Sequence, residues 1–299
     1  TFCTYNPAKR TPFELEGYHA VFLPFPVWHD PGAEPVVTDE WIRQWSCGQP
    51  PKSRGDEVED HERATLQNLM DAVASGDVCC VIVEPMQSEG GDRYATARFF
   101  NGLRALTRHL RLPLVFDEVQ TGFHLGGPFY WHQRFALRNA AGDEDGPDCI
   151  TLAKKAQLGV CLSTWPDPRP AAPHVVQTVR GLVQALALAH ESPAAMATKV
   201  TVQLRALASD FPDLVLHARC QGYAFAFDLP SPHAAEQLIA QRFYRGFMVY
   251  IAGDRTVRFR LNAAVGDDDL ETLFAGLRDG LAVIQQAAQG SGDARWTHF

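Results

Sequence analysis

The sequence predicts an α/β protein: a mainly parallel sheet with helices on both faces, plus a smaller C-terminal α+β domain. Three observations predict it. Near-continuous apolar runs, "VCCVIVEP", "PLVFDEVQ" and "CITLAKK", are separated by helical or looped stretches. Strands that are apolar on both faces belong to parallel sheets covered on both sides. Beyond residue 210 the pattern changes to short strands interleaved with helices.

Taken in order, residues 1–60 read as an irregular segment, broken by Pro7, Pro12, Pro24, Pro26, Pro31, Pro35, Pro50 and Pro51. From His61 the stretch "HERATLQNLMDAVASGD" puts Leu66, Leu69, Met70 and Val73 on one helical face, and Gly76 stops it. The first apolar run follows. Phe99, Phe100, Leu103, Leu106 and Leu110 then mark a second helix, which leads into the second run. Gly122, Gly126 and Gly127 mark a loop before the third. Residues 61–170 therefore form the large sheet domain. Pro166, Pro168, Pro170 and Pro173 make a hinge into connecting helices over 171–209. Residues 210–290 carry "YAFAFDLP", "FMVYIA" and "TVRFR" as strands of the small domain, closed by the helix "DDLETLFAGLRDGLAVIQQ"; residues 291–299 are a tail expected to fray.

Composition excludes some classes. The net charge is -8 and no basic tract stands out, which argues against a nucleic-acid partner. No apolar run reaches membrane-spanning length, and the first residues lack the apolar core of a signal peptide, so a soluble, cytoplasmic protein is expected. The seven cysteines are odd in number and scattered. They read as reduced, mostly buried thiols with no metal site.

The chemistry concentrates where the apolar runs end. In open parallel sheets, ligands bind outside the carboxyl ends of the strands. Glu84, Glu89, Asp117, Gln120 and Lys154 all sit at or just past such ends. Singly each has a bland reading. Asp117 can be a cap or a salt-bridged acid, Lys154 and Lys155 a solvated loop, and Glu84 and Glu89 part of the Gly90-Gly91 turn. Arg258 and Arg260 alternate on one strand and so share a face, either as surface charges or as a fork for a substrate carboxylate. Together they are more specific. A lysine and a partly buried acid at adjacent strand ends are what pyridoxal 5'-phosphate asks of a protein: an amine for its carbonyl carbon and an anion for its protonated ring nitrogen.

"VIVEPMQSEGGD", "FDEVQTGF" and "PDCITLAKKAQ", with Glu84, Asp117 and Lys154 spaced 33 and 37 positions apart, resemble the class III, fold-type I pyridoxal-phosphate-dependent aminotransferases. The nearest branch is that of lysine 6-aminotransferase and 4-aminobutyrate aminotransferase. The resemblance covers about residues 15–285 and implies a role for each matching position. Lys154 is the Schiff-base lysine and proton carrier, Asp117 the partner of the ring nitrogen, and Gln120 a contact to the ring hydroxyl. Glu89 gates between amine and 2-oxoacid substrates, Arg258 binds the α-carboxylate of 2-oxoglutarate or glutamate, and Thr164 in "STW" contacts the phosphate across a dimer interface. The chain differs from the family in opening deep inside the large domain, without the Gly/Ser/Thr phosphate cradle. Two expectations follow from the resemblance. One is an aminotransferase for a terminal amine of lysine, ornithine or 4-aminobutyrate type, working as a homo- or hetero-oligomer with a chain that supplies the missing N-terminal part. The other is a non-catalytic aminotransferase-like subunit that stabilises or regulates a partner. A different pyridoxal-phosphate reaction stays open beside them.

Overall fold

The computed structural model describes residues 10–14, 16–29, 34–166, 175–188 and 193–289. The hinge beyond Pro166 and the tail 291–299 lie outside these residues. The first 60 residues are not uniformly irregular: helix α1 spans Asp39–Ser46 and α2 spans Glu57–Ser75. Thr38 caps α1 by accepting from the Trp41 amide, and Asp56 caps α2 by accepting from the Glu59 amide. The prolines of this stretch flank α1 rather than forbidding it.

Strand β1 (Val81–Val83) leads through a short hairpin, β2 (Met86–Gln87) and β3 (Arg93–Tyr94), into α3 (Ala97–His109). Then come β4 (Leu114–Asp117), β5 (Cys149–Leu152) and β6 (Val160–Ser163). The sheet order is β1-β4-β5-β6; the first three strands are parallel, and β6 returns antiparallel along the edge of β5. All three predicted parallel strands are present, and β6 is an addition that "VCLS" did not announce. Cys79 and Cys80 fall just before β1 and are exposed, as are Cys47 and Cys161; among the described residues Cys149 is buried and Cys220 partly so. The expectation of mostly buried thiols is therefore corrected. Among the described residues no cluster could hold a metal, and no helix is long and apolar enough to cross a membrane.

One face of this sheet packs on α3. Phe100 meets Phe116 at 5.6 Å and stacks on Phe135 at 4.0 Å, while Trp41 of α1 donates its indole N–H to the Arg98 carbonyl. On the opposite face Ile82, in register with Val115, is 44% exposed. Arg104 in α3 is fully buried and bonds Asp145 and Asp148. Asp148 also accepts from the Leu114 amide, so this one aspartate ties the start of β4 and the start of β5 to α3. A buried guanidinium tolerates such a place only when paired in this way.

Helices α4 (Val175–Leu188) and α5 (Ala194–Asp210) lead to the small domain. It has four antiparallel strands, β7 (Leu216–Gln221), β8 (Ala224–Asp228), β9 (Tyr250–Ala252) and β10 (Thr256–Arg260), in the order β7-β8-β10-β9. Helices α6 (Pro232–Gln241) and α7 (Asp267–Gln289) complete it. Its own core includes Phe225, Phe227, Phe259 and Phe274, with Phe225 and Phe259 stacked at 4.4 Å. Gly222 turns β7 into β8 with φ +62°, and a Cβ there would lie 2.3 Å from the Leu125 carbonyl oxygen. A side chain at this position is excluded on both counts. The gain is a main-chain bond from the Tyr223 amide to that same carbonyl, which fastens the small domain to the loop after β4.

Candidate active site

The site is built from the turns that follow β1, β4 and β5, with β10 of the small domain set against them. Asp117 is the last residue of β4 and pairs with Thr151 of β5. Its Oδ1 accepts from the Val119 amide at 3.1 Å and from the Thr151 hydroxyl at 3.4 Å. No Lys, Arg or His pairs with it among the described residues. A half-buried carboxylate in this state has capacity left for a cation.

Lys154 starts a one-turn 3-10 helix just past β5, with φ +50°. Left-handed backbone at a lysine is strained, and such strain persists where the surroundings enforce it. Burial pulls the Lys154 ammonium below its ordinary pKa; Arg258 and Arg260 push the same way, while Glu89 and Glu84 oppose them. A lysine with weakened hold on its proton is a better nucleophile. Lys155 points elsewhere and donates to the Phe123 carbonyl at 3.3 Å. Of the two lysines, only Lys154 belongs to this cluster.

Alternation along the chain sends Glu118 to the other face of the sheet from Asp117. Glu118 is 1% exposed. Its carboxylate accepts from the Trp131 and His132 amides, the Thr121 hydroxyl and the His132 ring at 2.7–2.8 Å. It anchors the loop 121–132 under the site. Motif spacing gave no hint of this, because the partners are backbone groups 13 and 14 residues further on. Glu118→Ala strands several buried donors at once. It is expected to lower unfolding stability by roughly 3–5 kcal/mol in urea melts, far more than an exposed Glu→Ala change. In the same motif, a Cβ on Gly122 would stand 2.6 Å from Leu152 and 3.2 Å from the Glu118 carbonyl, so the glycine allows the turn to lie flat on β5. Gln120 is half-buried in this turn and makes no hydrogen bond among the described residues.

The turn after β1 faces the small domain. Glu89 pairs with Arg258, and Arg260 donates from both terminal nitrogens to Asp92 at 2.6 Å. The shared face of Arg258 and Arg260 is confirmed, and surface solvation of Arg260 is overturned: Asp92 is fully buried and holds it. Arg219 of β7 adds bonds to the Asp92 and Gly91 carbonyls at 2.8 and 2.6 Å. Arg258 Nη1 is buried, has no hydrogen-bond partner among the described residues and lies 4.0 Å from the Asp92 carboxylate. Glu84 is half-buried and takes the Ser88 amide at 3.1 Å. Burial first, then the charges of Asp117 and Glu89, push its carboxyl up to about 7, against the Ser88 amide and Lys154.

The structure thus brings together Lys154, Asp117, Glu84, Glu89 and Arg258. Thr164 stands apart. Because β6 runs antiparallel, its far end lies beside the start of β5, where Thr164 bonds the Asp148 carbonyl through both its amide and its hydroxyl. That is the opposite end of the strands from Lys154, six residues away along β5 and up to roughly 20 Å by the strand rise. The cavity of about 440 Å³ in this chain also lies elsewhere. It is lined by His29 and Arg93 and by His217, Asp228 and Thr256 of the small domain, and by none of Lys154, Asp117 or Arg258.

Residues 44–167 match the family model of the class III aminotransferases. Curated relatives include the L-lysine-epsilon aminotransferase of Mycobacterium tuberculosis, 32% identical over 70% of this chain and 49% of that protein. The 4-aminobutyrate aminotransferase of Dictyostelium discoideum is 30% identical over 61% of this chain and 38% of that one. The chain spans about half the length of the curated relatives it matches, or less. Among solved structures, lysine aminotransferase from M. tuberculosis superposes with a TM-score of 0.74 at 24% identity, over 93% of this chain and 62% of that one. The ornithine delta-aminotransferase of Plasmodium falciparum does so with a TM-score of 0.61 at 21% identity. At these identities the superpositions establish the fold.

Proposed function

We propose that this chain, whose residues 44–167 match the class III aminotransferase family model, forms the ring-binding half of a pyridoxal-phosphate-dependent aminotransferase. It moves a terminal amino group from a lysine-, ornithine- or 4-aminobutyrate-like donor to 2-oxoglutarate. The observation that carries this is the location of Asp117 and Lys154 at neighbouring strand ends, Asp117 without an ion pair among the described residues and Lys154 near Glu89 and Arg258. The residues fit the ring end of the cofactor: Asp117 has no cationic partner among the described residues and the ring nitrogen is a cation; Lys154 is a lysine with a depressed pKa. When bound, the cofactor draws electrons from the substrate's amine carbon.

Around it the chain's own groups have separable tasks. The Lys154 amine would hold the cofactor and, once freed, would move a proton to and from the substrate carbon. Asp117 holds the ring nitrogen in its charged form. Gln120, with its amide unengaged, takes the ring hydroxyl. Arg258 binds the α-carboxylate of the acceptor when released by Glu89, and pairs with Glu89 when the donor offers no carboxylate there. Thr164, at the far end of the strands, serves the phosphate of a site in a second copy.

An oligomer is favoured by α4, where Val175, Val176, Val179, Leu182, Val183 and Leu186 are all exposed; a contiguous apolar stripe of this kind is usually covered in an assembly. The exposure of residue Lys154 favours one second reading, a non-catalytic subunit that supports a catalytic partner. Incubation with pyridoxal phosphate, borohydride reduction and peptide mass spectrometry tests the first. A reduced adduct on Lys154 is expected; a colourless, unlabelled protein, alone and with any co-purifying chain, overturns it in favour of the second. For Arg258→Ala the KM for 2-oxoglutarate is expected to rise about 10–100-fold, the loss of one charge-assisted carboxylate contact. The half-reaction with a monocarboxylate amine donor, followed by absorbance, should change far less.

A further inference from the structure

The carboxyl groups of Glu84 and Asp117 share one row of the sheet. Val83 pairs with Phe116 in parallel register, so one step further sets Glu84 beside Asp117 on the same face. Asp117 is in turn paired with Thr151. Glu84, Asp117 and Thr151 therefore cross three adjacent strand ends, with Lys154 just past the third. Neither acid forms an ion pair among the described residues. The charged groups that act on Glu84 are Asp117, Glu89 and Lys154, one cation against two anions.

Two neighbouring carboxyl groups in partly buried surroundings do not both ionise readily, and one retains a proton. Their settings differ. Asp117 accepts two hydrogen bonds at one oxygen, from an amide and a hydroxyl. Glu84 accepts one, from Ser88, and has Glu89 as a further negative neighbour. We propose that Glu84 is a positioning residue for Asp117: it keeps the proton of the strand-end pair, so that Asp117 alone presents a negative charge to the cofactor ring, a role that rests on the function proposed above. Burial and these neighbours hold the Glu84 carboxyl near neutrality rather than in the usual carboxylate range. As the pH rises past about 7, Glu84 ionises. A second negative charge then stands next to Asp117 and Lys154, and it strengthens the hold of both the ring nitrogen and the lysine on their protons.

The test uses the whole chain and three versions of it: wild type, Glu84→Gln and Asp117→Asn. Without cofactor, carbon-13 NMR of labelled glutamate side chains should show one carboxyl titrating near pH 7. That signal should be absent in Glu84→Gln and should move down by at least about one pH unit in Asp117→Asn, where a negative neighbour is gone. The sign for stability is set as well. A carboxyl whose folded pKa lies above its unfolded one contributes stability below about 4.5 and loses it as the pH rises through about 7. Relative to Glu84→Gln, wild type should therefore lose melting temperature between about pH 4.5 and about pH 7 and hold a constant deficit at higher pH. With pyridoxal phosphate bound, the absorbance of wild type should show a pH-dependent component near 7 that Glu84→Gln lacks. The proposal is overturned if wild type binds the cofactor and Glu84→Gln keeps the same absorbance profile, or if no glutamate titrates near neutrality. If wild type takes up no cofactor, the proposed function fails instead, and the shift in Asp117→Asn still decides whether the two carboxyl groups are coupled.

Discussion

Lys154→Ala is expected to abolish the proposed transamination, with a loss of at least about 10³-fold set by the missing proton carrier alone, and to leave the fold intact. The side chain is only partly covered and its backbone turn is closed by main-chain bonds, the Ala156 amide to the Ala153 carbonyl and the Gln157 amide to the Lys154 carbonyl. Truncation at Cβ disturbs neither. Borohydride labelling at this position disappears as well, which separates lost chemistry from lost substrate binding. The strained φ of +50° supplies a control. Lys154→Gly removes the same amine but relieves the left-handed backbone, so it should be as inactive as Lys154→Ala and about 1 kcal/mol more stable. A Lys154→Ala protein that still turns over would move the nucleophile elsewhere, with Lys155 the first to examine.

Asp117→Asn should lower kcat about 10²–10³-fold, the usual effect of removing one electrostatic partner from a reacting centre. The amide is isosteric, and its oxygen can still take the Val119 and Thr151 hydrogen bonds, so melting temperature should change little. What is lost is the charge that keeps the ring nitrogen protonated. The distinction from Lys154→Ala is qualitative. Asp117→Asn still forms the borohydride-trapped adduct on Lys154 but processes it slowly. Normal turnover in this variant would remove the reason for placing the ring between β4 and β5.

Much of this site could be read before any coordinates existed, because parallel strands write their edges into the sequence. An apolar run that ends in "DEV" or "AKK" marks a carboxyl end, and Asp117 and Lys154 were named on that ground. Glu89 and Arg258 followed from the resemblance, and their pairing is found. Three features escaped for physical reasons. The helix α1 is only eight residues long and lies among prolines, so periodicity had too little length to register. Strand β6 is only four residues long, set off by the single Gly159, and its antiparallel return decides that Thr164 faces away from Lys154. Glu118 neighbours Asp117 in sequence, yet its task depends on amides presented by a distant turn. Such satisfaction of a buried acid is a tertiary fact that no local pattern records.

The turn Gly90–Asp92 is gripped by Arg219 and Arg260, and the Gly253 amide donates to the Glu89 carbonyl at 2.8 Å. Mechanically this makes the loop after β1 and the sheet of the small domain a single jaw. Any swing of that domain carries Glu89 and Arg258 along as a latched unit instead of prising them apart. Release of Arg258 for an incoming anion must then come from rotation of the Glu89 side chain alone, a nanosecond-scale event that requires no movement of the jaw's hinge.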